Sequence, residues 1–172
     1  MESLARVLAR RRVTLGFVFA VGVLYFASPT RESLLAGAAI GVVGEAIRVW
    51  AAGHLEKSRE VTTSGPYRFT RHPLYLGSSI MALGIAVGCR SILVAVLVVL
   101  YMATTIAAAI RMEEAFLRAR FGDAYDAYAE ARAPHVERRF SFERAWRNKE
   151  YRAMIGLAMA MLLLVFRAWL AR

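Results

Sequence analysis

The sequence predicts an all-α protein: a polytopic membrane helix bundle of about five transmembrane helices, with a cytoplasmic helical segment before the last. Three observations carry this expectation. Hydrophobic residues fill 58% of the 172 positions and gather into long runs, not the short periodic ones of a water-soluble core. Basic residues crowd the intervals between those runs and give a formal net charge of +10. The single cysteine, Cys89, excludes an internal disulfide framework and a multi-cysteine metal site. With three histidines and no HExxH pattern, no metal site is expected. The apolar fraction excludes a disordered chain. The length fits one domain over residues 1–172.

Each span is justified in turn by the need for about 20 apolar residues to cross a bilayer. The expected spans are 13–27, 34–52, 73–89, 92–110 and 153–170. The first is short and borrows flanking residues. It reads as a span rather than a secretory leader, because its cleavage-site pattern is poor. Only Arg90 and Ser91 separate the third and fourth, which predicts a tight helical hairpin. Gly37/Gly41 and Gly84/Gly88 have the GxxxG spacing of close helix packing. Gly77, one turn after Pro73, is read differently, as a position open to a ligand.

Orientation follows from the basic residues. With the N-terminus inside, 18 of the 23 lysines and arginines fall in inner segments and three in outer ones. This positive-inside pattern places the N-terminus and the site in the cytoplasm, most simply at a bacterial inner membrane. The charge is then a topology signal and a contact for membrane lipids. No nucleic-acid partner is expected, since the basic residues flank spans and form no recognition motif. Glu45 and Arg48 lie inside the second span at i,i+3, and are read as a structural pair or as lining a substrate entrance.

Two inner segments carry candidate chemistry. The first runs Thr63-Ser64-Gly65-Pro66-Tyr67-Arg68-Phe69-Thr70-Arg71-His72-Pro73-Leu74-Tyr75-Leu76-Gly77. Gly65-Pro66 marks a turn. Pro73 opens the third span, where its missing N–H costs nothing, and His72 falls near the N-cap. The free N–H groups of that first turn favour an anion such as a carboxylate. Tyr67, His72 and Tyr75 add polar tips and ring faces. The second segment continues the fourth helix from Arg111 through Glu113-Glu114, Arg118, Phe121-Gly122, Tyr125 and Tyr128. Glu114 and Arg118 have the i,i+4 spacing of a helix pair. Phe121, Tyr125 and Tyr128, at i, i+4 and i+7, predict one aromatic helical face. Each segment taken alone also fits a plain interfacial belt or an amphipathic surface helix.

Together the two segments resemble the isoprenylcysteine carboxyl methyltransferase family and its phospholipid-methyltransferase relatives. The matching stretches are Gly65-Pro66-Tyr67-Arg68, Arg71-His72-Pro73-Leu74-Tyr75-Leu76-Gly77, and then Glu113-Glu114, Leu117, Phe121-Gly122, Tyr125 and Tyr128. One helical hairpin separates them. The resemblance covers about residues 48–134; it weakens after Pro134, where a further apolar span follows. It implies an integral membrane enzyme that uses S-adenosylmethionine at the cytoplasmic helix ends, with a tunnel for an apolar substrate. Carried over by position, His72, Tyr75 and Gly77 line the cofactor site, with Glu113 and Glu114 beside it and Arg111 nearby. Joined to the residues read above, the expected cofactor-binding set is Tyr67, His72, Pro73, Tyr75, Gly77, Glu113, Glu114, Tyr125 and Tyr128. For a protonated nucleophile Glu114 is the candidate base, with Arg111 orienting either that carboxylate or the substrate. The implied acceptor is lipophilic or amphipathic, like an isoprenylcysteine carboxylate or a phospholipid. Two other classes stay open on the residues alone. Membrane sterol-type reductases also place a His-Pro-x-Tyr element before a helix and use a nicotinamide cofactor, and a non-catalytic scaffold would bind neither cofactor.

Overall fold

The computed structural model describes residues 21–134 and 136–171. The expected span 13–27 lies mostly outside them; within it, residues 21–26 are helical. The regular elements that follow are α1 (Arg31–Ala52), a 3-10 turn (Gly65–Arg68), α2 (Pro73–Cys89), α3 (Ile92–Phe121), α4 (Asp123–Ala129), α5 (Phe142–Arg147) and α6 (Tyr151–Leu170). Among the described residues there is no strand. Helices α1, α3 and α6 are each long and apolar enough to cross a membrane, and α2 is a shorter apolar helix. The molecule is a membrane helix bundle. Large apolar side chains such as Ile92, Leu100, Leu162 and Phe166 face outward, as a lipid-facing surface requires.

Local chemistry sets the boundaries. Thr30 caps α1 through a box in which its Oγ1 accepts from Ser33 N–H at 3.3 Å and Ser33 Oγ accepts from Thr30 N–H at 2.9 Å. Ser33 Oγ also donates to the Gly88 carbonyl at 3.1 Å, tying the start of α1 to the end of α2. Arg90 closes α2 in the left-handed region, and Ser91 caps α3, so the expected hairpin forms with a two-residue turn.

Helices α1 and α2 run antiparallel and meet through glycine. A Cβ on Gly37 would lie 2.5 Å from the Gly84 carbonyl oxygen, and one on Gly84 would lie 2.6 Å from that of Gly37. Gly44 and Gly77 form the same reciprocal contact one end further along, at 2.7 and 2.6 Å. Gly77 is therefore a packing residue, not a position open to a ligand. The space its missing side chain leaves is filled by the Gly44 backbone and the Arg48 side chain.

Helix α3 has 30 residues, about 45 Å at 1.5 Å per residue. A bilayer core of about 30 Å is crossed by its first two-thirds. The remaining turns, which hold Glu113, Glu114 and Arg118, extend past the apolar stretch. The helix ends at Gly122, whose φ of 50° and ψ of −126° break it before α4. Phe121 and the pair Tyr125/Tyr128 therefore sit on two different helices. The single aromatic face expected from their spacing is not formed, because that expectation carried the helix through a glycine that ends it.

The chain between α4 and α6 returns to the loop that follows α1. Arg144 Nε donates to Glu56 Oε1 at 2.8 Å, and Asn148 Nδ2 donates to the Ala52 and Leu55 carbonyls at 2.8 and 2.9 Å. Arg138 pairs with Glu60 at 2.6 Å. Thr63 Oγ1 donates to the Pro134 carbonyl and accepts from Val136 N–H. Both inner segments thus fold onto one end of the bundle.

Candidate active site

At that end lies a cleft of about 600 Å³. Its walls come from the loop after α1 (Glu56, Thr62), the 3-10 turn (Tyr67), the entry to α2 (Arg71, His72, Pro73, Tyr75), the protruding turns of α3 (Met112, Glu113, Leu117) and α4 (Tyr125, Tyr128). The two motif segments, with a whole hairpin between them, meet here.

His72 is the N-cap residue of α2, with Pro73 as its first helical residue. The His72 side chain makes no capping bond. It turns instead to α3, where Nε2 lies 3.1 Å from Glu114 Oε1 and acts as donor toward the carboxylate. Arg71 Nη1 approaches the same oxygen at 3.3 Å, and Arg118 Nη1 approaches Oε2 at 3.7 Å. Arg118 also reaches Asp126 Oδ1 at 3.2 Å and stands 5.5 Å from the Tyr125 ring centre. One arginine thereby bridges the Gly122 break and folds α4 back against the site.

Tyr125 is 1% exposed, and Tyr128 donates its hydroxyl hydrogen bond to the Tyr67 carbonyl at 2.9 Å. The hydroxyls of Tyr67 and Tyr125 are buried without a hydrogen-bond partner. Burial raises all three phenols. Tyr67 is held well above its ordinary value by burial and then by Glu113. Tyr125 is raised by burial and by Glu114, and Tyr128 is pushed up to about 12 by burial and by Tyr125. All three hydroxyls keep their protons at neutral pH and can donate. The Glu113 carboxylate lies beside the Tyr75 hydroxyl and faces the cleft.

Tyr67, His72, Pro73, Tyr75, Glu113, Tyr125 and Tyr128 all line this cleft. Glu114 stands just behind the lining, its carboxylate engaged by His72, Arg71 and Arg118. Gly77 is turned away into the α1 contact, and Arg111 lies exposed on α3 outside the lining. The helical period explains Arg111: it stands two residues before Glu113, about 200° round the helix from the face of Met112, Glu113 and Leu117 that lines the cleft. Sequence reasoning missed Arg71 as a partner of Glu114, and it missed the loop 55–62. It also missed the true partner of Arg48. Arg48 Nε and Nη2 donate to the two oxygens of Glu150 at 2.6 and 3.2 Å, and Nη1 donates to the Leu74 carbonyl at 3.2 Å and to Ser78 Oγ. No local spacing signals a partner 102 residues away.

The family pattern described as Phospholipid methyltransferase matches residues 17–124. The chain belongs to the phospholipid methyltransferase family. Membership makes it a membrane-embedded member of a methyltransferase family. Two curated relatives are also similar. The nickel-cobalt-cadmium resistance protein NccN of Alcaligenes xylosoxydans xylosoxydans is 35% identical over 95 residues, 54% of this chain and 43% of that protein. The cobalt-zinc-cadmium resistance protein CzcN of Cupriavidus metallidurans (strain ATCC 43123 / DSM 2839 / NBRC 102507 / CH34) is 34% identical over 87 residues, 49% of this chain and 39% of that protein. The chain thus spans less than half the length of the curated relatives it matches. No solved structure matches. Among the described residues, no group of three or more His, Cys, Asp and Glu side chains is placed to hold a metal ion.

Proposed function

We propose that this chain is an S-adenosylmethionine-dependent methyltransferase that holds the donor in the cleft at the polar end and methylates a lipophilic or amphipathic acceptor. The observation that carries this reading is the pair of unpartnered, buried phenol hydroxyls, Tyr67 and Tyr125, in a wall that also presents Glu113 and the first turn of α2. A buried hydroxyl without a partner is costly unless a ligand completes it. The volume falls within the roughly 300–1,000 Å³ usual for small-molecule sites.

The donor supplies an electrophilic methyl group on a sulfonium, together with an ammonium, a carboxylate, a ribose and a flat adenine. Glu113 is the carboxylate free to take the ammonium or the ribose hydroxyls by charge-assisted hydrogen bonds. The open N–H groups at the start of α2, with Arg71 beside them, suit the carboxylate. Tyr67 and Tyr125 donate to remaining acceptors, and their rings and that of Tyr75 offer faces for stacking or for the cation. His72 is held in one orientation by Glu114, which makes Glu114 a positioning residue. Its two oxygens are taken by three cationic or donor groups, so it is poorly placed for the base role that the sequence suggested. An anionic acceptor needs no base, and alignment of the two reactants is the chief contribution of the walls. We read this end of the bundle as the cytoplasmic one, which the positive-inside distribution of lysine and arginine supports.

The test has two arms. Purified protein in lipid should bind S-adenosylhomocysteine and not NADPH; the reverse preference would replace this reading with the reductase. Incubation with radiolabelled donor and membrane extract should label a lipid-soluble product. Binding of neither cofactor would make the chain a scaffold.

A further inference from the structure

A second cavity, of about 690 Å³, lies between α1 and α6 and shares no lining residue with the cleft. Its walls are apolar, built from side chains such as Val42 and Val49 on α1 and Met154, Leu157 and Met161 on α6. Val42 and Met154 are more than half exposed, so the groove is open on the lipid side. One lining residue breaks the pattern. Glu45 is 8% exposed, and neither of its carboxylate oxygens has a hydrogen-bond partner. Arg48, one turn away, would be its natural counter-ion, but its guanidinium is occupied by Glu150, Ser78 and the Leu74 carbonyl.

A carboxylate in an apolar wall within a membrane span is costly unless something completes it. The groove offers room for a hydrocarbon chain and one acidic anchor. An anionic amphiphile is repelled by that anchor, a neutral one can offer it a hydrogen bond but no opposite charge, and an ammonium offers both. We propose that the α1–α6 groove is a binding site for a single-chain membrane amphiphile bearing a protonated amine, with the chain along Val42, Leu157 and Met161 and the ammonium on Glu45. This site stands apart from the cleft and does not depend on the methyl-transfer reading.

Trp50 lines the groove and serves as a reporter. The full chain, with Trp146 and Trp169 replaced by phenylalanine, is placed in phosphatidylcholine nanodiscs and titrated with a bromine-labelled twelve-carbon alkylamine. Saturable quenching of Trp50 is expected, at least tenfold tighter than for the alcohol and the carboxylate of the same chain. Glu45→Gln should abolish the preference for the amine while leaving the alcohol unchanged. Ala158→Phe, which fills the groove, should weaken all three probes. Equal affinity of the three head groups for the unsubstituted Glu45 protein overturns the proposal, and that comparison needs no variant at position 45. Retention of amine preference in Glu45→Gln, or undiminished quenching in Ala158→Phe, overturns it as well.

Discussion

Helix α2 meets α1 and α3 by opposite means. Against α1 it places backbone on backbone, with Gly77 and Gly84 reciprocating Gly44 and Gly37, and the Arg48 side chain lying along Gly77. Against the protruding end of α3 it uses long polar side chains, His72 and Arg71 converging on Glu114. The first contact tolerates no added atom. The second tolerates substitution of a group but loses its geometry. The fold is thus concentrated in one face of α2 and the proposed chemistry in its first turn, so the two should separate under mutation.

The largest effect should come from the glycine face. Gly37→Leu drives a side chain into the Gly84 carbonyl and the Gly88 backbone, which cannot move aside as a flexible side chain does. A loss of about 3 kcal/mol or more is expected, read as a collapse of the thermal transition in detergent. A variant that melts with the unsubstituted protein would mean the helices are not so close. Next come the polar contacts. His72→Ala and Glu114→Gln should leave the melting temperature within a few degrees while weakening S-adenosylhomocysteine binding, each by about tenfold or more, since each strips a charged hydrogen bond from the cleft wall. Unaltered binding by both would detach this cluster from the ligand.

A smaller effect is expected from Tyr128→Phe, which removes the bond to the Tyr67 carbonyl. About 1 kcal/mol of local stability should be lost, seen as faster hydrogen exchange in the 3-10 turn. Because the Tyr128 hydroxyl is pushed up to about 12, this bond persists through pH 10. An unchanged exchange rate would show that the bond does not hold the turn. The smallest effect lies at Glu56, whose carboxyl is held below the usual range by its hydrogen bond from Arg144, with Arg147 adding to it. Its contribution is present above the ordinary glutamate value of about 4.3 and is lost as the pH falls through the lowered one. A plot of melting temperature against pH should therefore drop further on acidification for the unsubstituted chain than for Glu56→Gln. Parallel curves would remove Glu56 from the account.

What could be read from the chain was local or strongly periodic. The bounds 73–89 follow from Pro73 at one end and Arg90-Ser91 at the other, and α2 has those bounds. The approach of the two motif segments was also legible, since a single hairpin brings both to the same end. Three features were not. The Gly122 break needed a backbone angle that spacing does not record, although the glycine itself was the available signal. Arg48 lies at helical spacing from Glu45, yet it turns to Glu150, because the start of α6 brings a second carboxylate to Arg48 from the far end of the sequence. Gly77 sits in the first turn of α2, as a ligand-facing glycine would, and only the proximity of α1 shows which way it faces.

The two-residue turn at Arg90-Ser91 gives α2 and α3 the geometry of tongs, with the pivot at that turn and the jaws, His72 and Glu114, at the far ends. The arm formed by the 17 residues of α2 is about 26 Å long, so a change of about 5° at the pivot displaces a jaw by about 2 Å. That displacement is enough to part a hydrogen bond of 3.1 Å. The angle set at the turn is thus magnified at the site, so the contacts that fix it, Arg90 in the left-handed region and Ser91 Oγ accepting from Val94 N–H, bear on a pair of residues at the other end of the helix.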